Sequence, residues 1–322
     1  MGFFLLLLAG LLPIKATSHQ GENQNFVLEH VQDAHSWHFA TISGQHITFY
    51  LPIILYSSDR GIECFSSALF YDPSTSFRGY ALINEKVCCL DPGRCVYDFS
   101  ITKNIAAMFL SVGLLMIGLL LAAKKYRKRP LATPKGYCSA IECIVLFIKN
   151  EVAIPNIGQQ HHERFLPYLL TVFFFILLNN LLGLVPGGAN VTGSISVTLV
   201  LAAFTVLITI FSGNKHYWSH IFKPKGVPTW LLPILIPVEL LGILTKFFSL
   251  MVRLFANITA GHIILLSIIG LIFITKNIYI GFVVSLPFGT FMLLLKLLVA
   301  VLQAYVFTLL SAIYFGQAVH EG

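Results

Sequence analysis

Charge is what this sequence has least of. Only 11% of its 322 residues are Asp, Glu, Lys or Arg, against about a quarter in an ordinary soluble domain. Mean hydropathy is +0.79. That profile excludes a large water-soluble core and fits a membrane protein. The sequence also lacks a Gly-rich phosphate loop, a paired CxxC and an HExxH. No internal repeat of the kind that marks many secondary transporters is visible. No Ser/Lys or Asp/Asp pair has the spacing of an intramembrane enzyme, so no catalytic site and no cofactor is expected. The net charge of +7 and pI near 9.1 do not point to nucleic acid, because the basic residues flank apolar spans and are explained by topology.

Six cysteines divide unevenly. Cys64, Cys88, Cys89 and Cys95 lie in a polar N-terminal region, and Cys138 and Cys143 come later. If that region is exported, the first four are disulfide candidates. The adjacent Cys88 and Cys89 leave the pairing open. Metal binding by these cysteines, or by His30, His35, His38 and His46 around Trp37, is the weaker reading of each cluster.

Residues 1–20 read as an apolar leader resembling a secretory signal peptide, though without a positively charged start; an uncleaved anchor is the alternative. Residues 21–100 form a small N-terminal extracytoplasmic region, where the run from Gln45 to Tyr56 suggests strands. The apolar run Ile105 to Ala123 has the length of a bilayer crossing. It ends in Lys124-Lys-Tyr-Arg-Lys-Arg-Pro130, a cluster that belongs on the cytoplasmic side. Residues 135–164 read as one amphipathic helix lying in the membrane interface, with Ile141, Ile144, Val145, Ile148 and Val152 on its apolar face and Glu142, Lys149, Asn150 and Glu151 opposite. His161 and His162 fall in a solvated lead into the next span.

Further spans are expected at Phe165 to Val185, with Asn179 and Asn180 deep inside it, and at Ile195 to Phe211. The two amides serve as helix–helix glue or line a hydrated path. Asn190-Val-Thr is a glycosylation sequon by pattern. Ser196, Thr198, Thr205 and Thr209 can satisfy their own helix backbone and demand no function. Residues 213–230 form a cytoplasmic loop. Two overlong apolar runs follow, Pro233 to Ile274 and Gly281 to Phe315. Both exceed the hydrocarbon thickness and must tilt or bend; the short turn between them makes a hairpin. The fold class is therefore an all-α polytopic membrane protein. It has about five membrane helices, two of them long tilted hairpin helices, with one interfacial amphipathic helix. Residues 101–322 are its membrane domain.

The first overlong run carries the chemistry. Glu239, Lys246 and Arg253 are spaced by heptads and share a stripe, with Ser249 and Asn257 one turn either side of Arg253. His262 falls on roughly the opposite face. An arginine at mid-bilayer costs ~2.5–3.5 kcal/mol on the mildest scale, so these groups need partners, a water path, or both. Glu239 and Arg253 are ~21 Å apart along a straight helix and stand as stations at different depths. On the second run, Lys296 and Gln303 share a face. The two polar stripes are expected to meet in a common seam or to face a partner.

The stretch Ser249-Leu-Met-Val-Arg253-Leu-Phe-Ala-Asn257-Ile-Thr-Ala-Gly-His262 resembles the a subunit of F-type ATP synthase, the stator half of a membrane proton path. Leu302-Gln303-Ala-Tyr-Val-Phe-Thr-Leu-Leu resembles that family's last-helix motif, and Asn179-Asn-Leu-Leu-Gly-Leu-Val-Pro186 its earlier span. The resemblance covers roughly residues 100–318, and the N-terminal extension with a leader resembles some bacterial versions. It implies an ion-translocating stator in the bacterial plasma membrane, N-terminus extracytoplasmic and C-terminus cytoplasmic. The implied partners are the c-ring, the b subunits of the peripheral stalk and the rest of the synthase. Arg253 matches the arginine that faces the ring, and Glu239 a half-channel acid. Lys246 matches a position that is basic or amide in relatives, and Asn257 the amide beside the arginine. His262 matches a site held by His or Glu, and Gln303 the glutamine neighbouring the arginine. Phe247 departs from the pattern, standing where many relatives place proline. Lys296 departs too, standing where they usually carry Glu or His. A permanent cation at 296 disfavours a proton relay unless it is neutral or paired, and pairing with Glu239 across the hairpin is one remedy. A self-contained secondary transporter or channel is the alternative function; it needs a complete internal path.

Overall fold

The computed structural model describes residues 35–42, 45–57, 61–70, 77, 79–83, 86–89, 96–128, 136–185, 188, 191–222, 231–275 and 286–319. The leader, Cys95, the Asn190 sequon, residues 223–230 and the turn between the two long runs lie outside them. The chain divides into two compact units, Met1–Leu110 with Leu182–Val191, and Ser111–Leu181 with Thr192–Gly322.

The first unit is built on short antiparallel strands. β1 (Ser36–Ile42) pairs with β2 (Gln45–Tyr50). The sheet that follows has β3 (Pro52–Ser57) at its centre, flanked by β4 (Gly61–Ser66) and a later strand, Val96–Asp98. β5 (Tyr80–Ile83) and β6 (Lys86–Cys89) form a third pair, which makes Val96–Asp98 β7. The run from Gln45 to Tyr56, expected to form strands, lies in two, β2 and β3, because the chain leaves one sheet at Leu51 and enters another. Alternation buries Ile53 and Leu55 on one face of β3, against Phe70 and Tyr80. Tyr80 Oη donates to Glu63 Oε2 at 2.8 Å, so the buried phenol keeps a partner. Cys64, Cys88 and Cys89 carry free thiols, so the three form no disulfide with one another.

Among the described residues, five helices are long and apolar enough to cross a membrane. They are α1 (Lys103–Lys128) and four that follow it. After α1 comes a helical stretch of three parts, α2 (Tyr137–Phe147), a π-helical turn (Ile148–Ala153) and α3 (Ile154–Ile157). It ends at Gly158, whose φ of 92° suits only glycine. The amphipathic helix is therefore shorter than 135–164, and His162 opens the next helix, α4 (His162–Leu182). His162 is buried rather than solvated, its Nδ1 2.9 Å from Gln159 O. Ile148 and Val152 of the expected apolar face are fully buried.

α5 (Ile195–Ser212) turns Thr198, Ala202, Thr205 and Thr209 inward. Thr205 and Thr209 donate to Leu201 O and Thr205 O, at 3.0 and 2.8 Å, so their hydroxyls are satisfied inside an apolar contact. The loop expected at 213–230 contains a further helix, α6 (Lys215–Phe222). α7 (Leu232–Thr275) is a single helix of 44 residues, ~66 Å long. Pro237 lies close enough to its start to be accommodated. α8 (Leu286–Val319) has 34 residues.

The core of the second unit joins Leu169, Val172 and Ile176 of α4 to Leu250 and Leu254 of α7 and Phe307 and Phe315 of α8. Small residues set the closest approach. A Cβ at Gly316 would stand 1.9 Å from Asn156 O, so α8 presses its backbone onto α3 and only glycine fits there. The end of α8 is capped from outside: Asn214 N donates to Ala318 O at 3.0 Å and its Nδ2 to Val319 O at 3.1 Å. Those carbonyls have no partner within their own helix.

Candidate functional site

The polar residues of α7 and α8 meet along the seam between the two helices. Lys246 Nζ donates to Gln317 Oε1 at 2.7 Å and stands 5.3 Å from the centre of the Tyr314 ring. Asn257 Nδ2 donates to Gln303 Oε1 at 2.9 Å. Further along, Lys296 lies against Gly261, where an added Cβ would come within 3.2 Å of its Cε. As residue numbers rise along α7 they fall along α8, which is the register of an antiparallel pair. Lys246 is therefore held by a hydrogen bond and a cation–π contact, and its partners come from the far end of α8.

Arg253 differs from its neighbours. It is exposed, as are Asn257 and Ala260 one and two turns further along the same side of α7, while Leu250 and Leu254 point into the core. Glu239 and Lys246 are half-buried. Along the stripe predicted by heptad spacing, exposure thus rises from the half-buried Glu239 and Lys246 to the exposed Arg253. The cause is geometric: an α-helix drifts ~20° per heptad. Glu239 lies near α6, where burial pushes the Tyr217 phenol up and the Glu239 charge pushes it the same way.

Gln303 is 4% exposed, and its Nε2 has no hydrogen-bond partner among the described residues. The same holds for Lys296 Nζ. A pairing of Lys296 with Glu239 is not made. Gly261, the residue against Lys296, is twenty-two positions from Glu239, ~33 Å along the helix, beyond the reach of two side chains. His262 lies in α7 next to Gly261, and its side chain is outside the described residues.

Asn179 and Asn180 are buried. Asn180 Nδ2 donates to Ala300 O at 3.2 Å and its Oδ1 accepts from Thr192 Oγ1 at 2.7 Å. It therefore ties α4 to α8 in the way expected of helix–helix glue. Asn179 donates to Phe175 O in its own helix at 2.8 Å. Sequence reasoning missed Gln317, Tyr314 and Ala300 as partners of the polar residues. Position alone gives no sign of them, because a partner depends on the register of the hairpin.

A bundle of helices long and apolar enough to span a membrane, with a hydrogen-bonded polar seam and an exposed guanidinium, defines a multi-pass membrane protein that carries half-buried charge. The sequence has close relatives of the same kind. A family model described as ATP synthase A chain matches residues 105–316. A second, described as a domain of unknown function (DUF8433), matches residues 26–104. The chain is 49% identical to ATP synthase subunit a 2 of Chlorobaculum tepidum over 228 residues, which is 69% of this chain and 64% of that protein. It is 46% identical to ATP synthase subunit a 2 of Prosthecochloris aestuarii over 233 residues, 70% of this chain and 71% of the relative. Against ATP synthase subunit a of Myxococcus xanthus the identity is 44% over 231 residues, 70% and 75% of the two chains. The chain belongs to the ATP synthase A chain family, with an N-terminal extension that its family model does not cover.

Proposed function

We propose that the chain is the proton-translocating stator subunit of an F-type ATP synthase, forming two offset half-channels against the c-ring. The observation that carries this reading is Arg253. Its guanidinium stands exposed on a helix long and apolar enough to span a membrane, and such a group is tolerated there only when another surface supplies water or an acid. A ring of small subunits, each with a lipid-facing carboxylate, meets that need.

The chemistry follows from elementary electrostatics. A bare carboxylate cannot cross lipid ionised. Opposite Arg253, which stays charged at any physiological pH, it ionises. The arginine thereby forces each ring site to release its proton on one side and take one up on the other, and it blocks direct leakage between the half-channels. Protons ride the ring for nearly a full turn. A potential of 100 mV supplies about 2.3 kcal/mol per charge, so several protons are needed per ATP.

Glu239 is the half-channel acid, deep on the side of Tyr217. Asn257 and Gln303 hold the two long helices in register beside the arginine, and the buried Nε2 of Gln303 is a donor for water in the path. Lys246 clamps the hairpin. His262 relays protons, as an imidazole can both take up and release one. Lys296 is half-buried with its Nζ shielded; it stands in the position of a relay group and works only if it is neutral. The ring, the b subunits of the peripheral stalk and the remaining synthase subunits are the partners. The protein lies in a bacterial plasma membrane with the basic cluster after α1 inside, the N-terminus extracytoplasmic and the C-terminus cytoplasmic. On this reading residues 1–20 are a signal peptide, 21–100 an extracytoplasmic region and 101–322 the membrane domain.

Mild-detergent purification of the tagged chain from its own membranes tests the assignment. Co-isolation of an oligomer of small proteolipids with ATPase subunits is the expected result. A chain that purifies alone and conducts ions by itself in liposomes would overturn it.

A further inference from the structure

The three-stranded sheet of the first unit carries apolar side chains on both faces. One face holds Ile53 and Leu55 in the core. On the other, Tyr56 stands in register between Ile62 and Tyr97. The next row joins Cys64 to Ile54, and Phe99 N donates to Ile54 O at 2.9 Å. Residues directly opposite one another on antiparallel strands share a face, so these six form one surface. It carries no charged side chain. Ile62 is 75% exposed, Phe99 66% and Tyr97 60%. A soluble antiparallel sheet turns polar residues outward on its uncovered face, and a patch of this kind marks a docking surface.

Continuity with the first membrane helix identifies what covers it. The sheet does not end at β7. Phe99 and Ile101 go on pairing with β3, the latter through Ile101 N to Pro52 O at 3.3 Å. Ser100 is buried and locked on both sides: its N donates to Asp98 Oδ1 at 2.9 Å, and its Oγ accepts from Ile54 N at 3.2 Å. α1 starts at Lys103. A single residue, Thr102, therefore separates the paired Ile101 from α1, at most ~7 Å of chain from Ile101 to Lys103, and the apolar run of the helix begins at Ile105. Phe109 and Leu110 in its third turn are already half exposed. Lys103 and Asn104 open α1, directly after the residues paired to the sheet. Tyrosine and other aromatic rings are the side chains that settle at the membrane–water interface, with an apolar body and a polar tip.

We infer that the Ile62–Tyr56–Tyr97–Phe99 face of the sheet lies on the lipid surface and inserts its side chains into the headgroup–acyl boundary, making the first unit a membrane-bound foot for α1. The surface is neutral, so the interaction is apolar and interfacial rather than an attraction to anionic lipid. It holds whichever subunits the chain assembles with.

The experiment places p-benzoylphenylalanine at Ile62 and, in a separate protein, at Tyr97, in the full chain in native membranes. A third protein carries the probe at Leu114, an exposed position within α1. After illumination the tryptic peptides are analysed by mass spectrometry. Phospholipid adducts at Ile62 and Tyr97 in yields comparable to those at Leu114 are expected. Adducts to another polypeptide, or to a second copy of the chain, would overturn the inference in favour of a protein interface. So would a probe at both positions that stays unreacted while Leu114 labels.

Discussion

The amide of Asn257 donates to the side-chain oxygen of Gln303 across 2.9 Å, and this bond joins the two longest helices one turn beyond Arg253. Gln303 is buried, so the bond fixes an amide that water from outside cannot reach. Replacing Asn257 with Ala leaves that carbonyl unpaired at a cost of ~1–3 kcal/mol. Thermal unfolding of the purified protein should show the loss. Asn257→Ala and Gln303→Leu should also be non-additive in a double-mutant cycle, with a coupling of ~0.5–3 kcal/mol. Additive effects would mean that the bond does not tie the helices.

Among the described glycines of the second unit, Gly316 leaves the least room for a side chain. An Ala at this position would drive its Cβ into Asn156 O, and α8 must move away from α3. Overpacking of this kind costs ~1–3 kcal/mol, read as a lower unfolding temperature. The same change at Gly113, where a Cβ meets nothing within 4 Å, removes a helix glycine and should be neutral or mildly stabilising.

Lys296 buries an ammonium with no hydrogen-bond partner among the described residues. An unsatisfied polar group costs ~1–3 kcal/mol, and more when charged. Lys296→Met keeps the length of the side chain and removes the charge, so it should raise the unfolding temperature. Lys296→Glu restores the residue type usual at this place in the resemblance noted above. On the proposed function, ATP-driven proton pumping should rise or hold in that variant and not fall.

Asn214 holds the last turn of α8 through its backbone and side-chain donors. Asn214→Ala keeps the first bond and loses the second, worth ~0.5–1.5 kcal/mol. Hydrogen exchange should quicken at the amides of the last turn of α8 and leave those around Phe307 unchanged.

Much of this architecture is legible from apolar length and period. α4 and α5 begin and end within a few residues of the expected spans, and the two overlong runs are single long helices. The hydroxyls of α5 behave as expected, bonded to their own backbone. The partners of Lys246 are another matter. They depend on how far α8 slides along α7, and no local pattern encodes that register. The same ignorance made a Lys296–Glu239 pair look reasonable. α6 escaped notice because its eight residues show one turn of aromatic spacing between polar ones, which reads as loop. The end of the amphipathic helix was misplaced because Gly158 breaks it by backbone conformation, while the polar residues on either side look continuous. In the first unit, strand alternation was readable, but a second apolar face is visible only once the strands are paired.

The most direct test concerns Arg253. In the complete enzyme reconstituted into liposomes, ATP-driven acidification is measured for the parent, Arg253→Ala and Arg253→Lys. The account predicts that Arg253→Ala abolishes pumping while leaving the long hairpin folded, and that Arg253→Lys, a strongly hydrated point charge without the planar fork, does not restore it. Pumping by Arg253→Ala at the parent's rate would contradict the account and leave the arginine as a structural anchor.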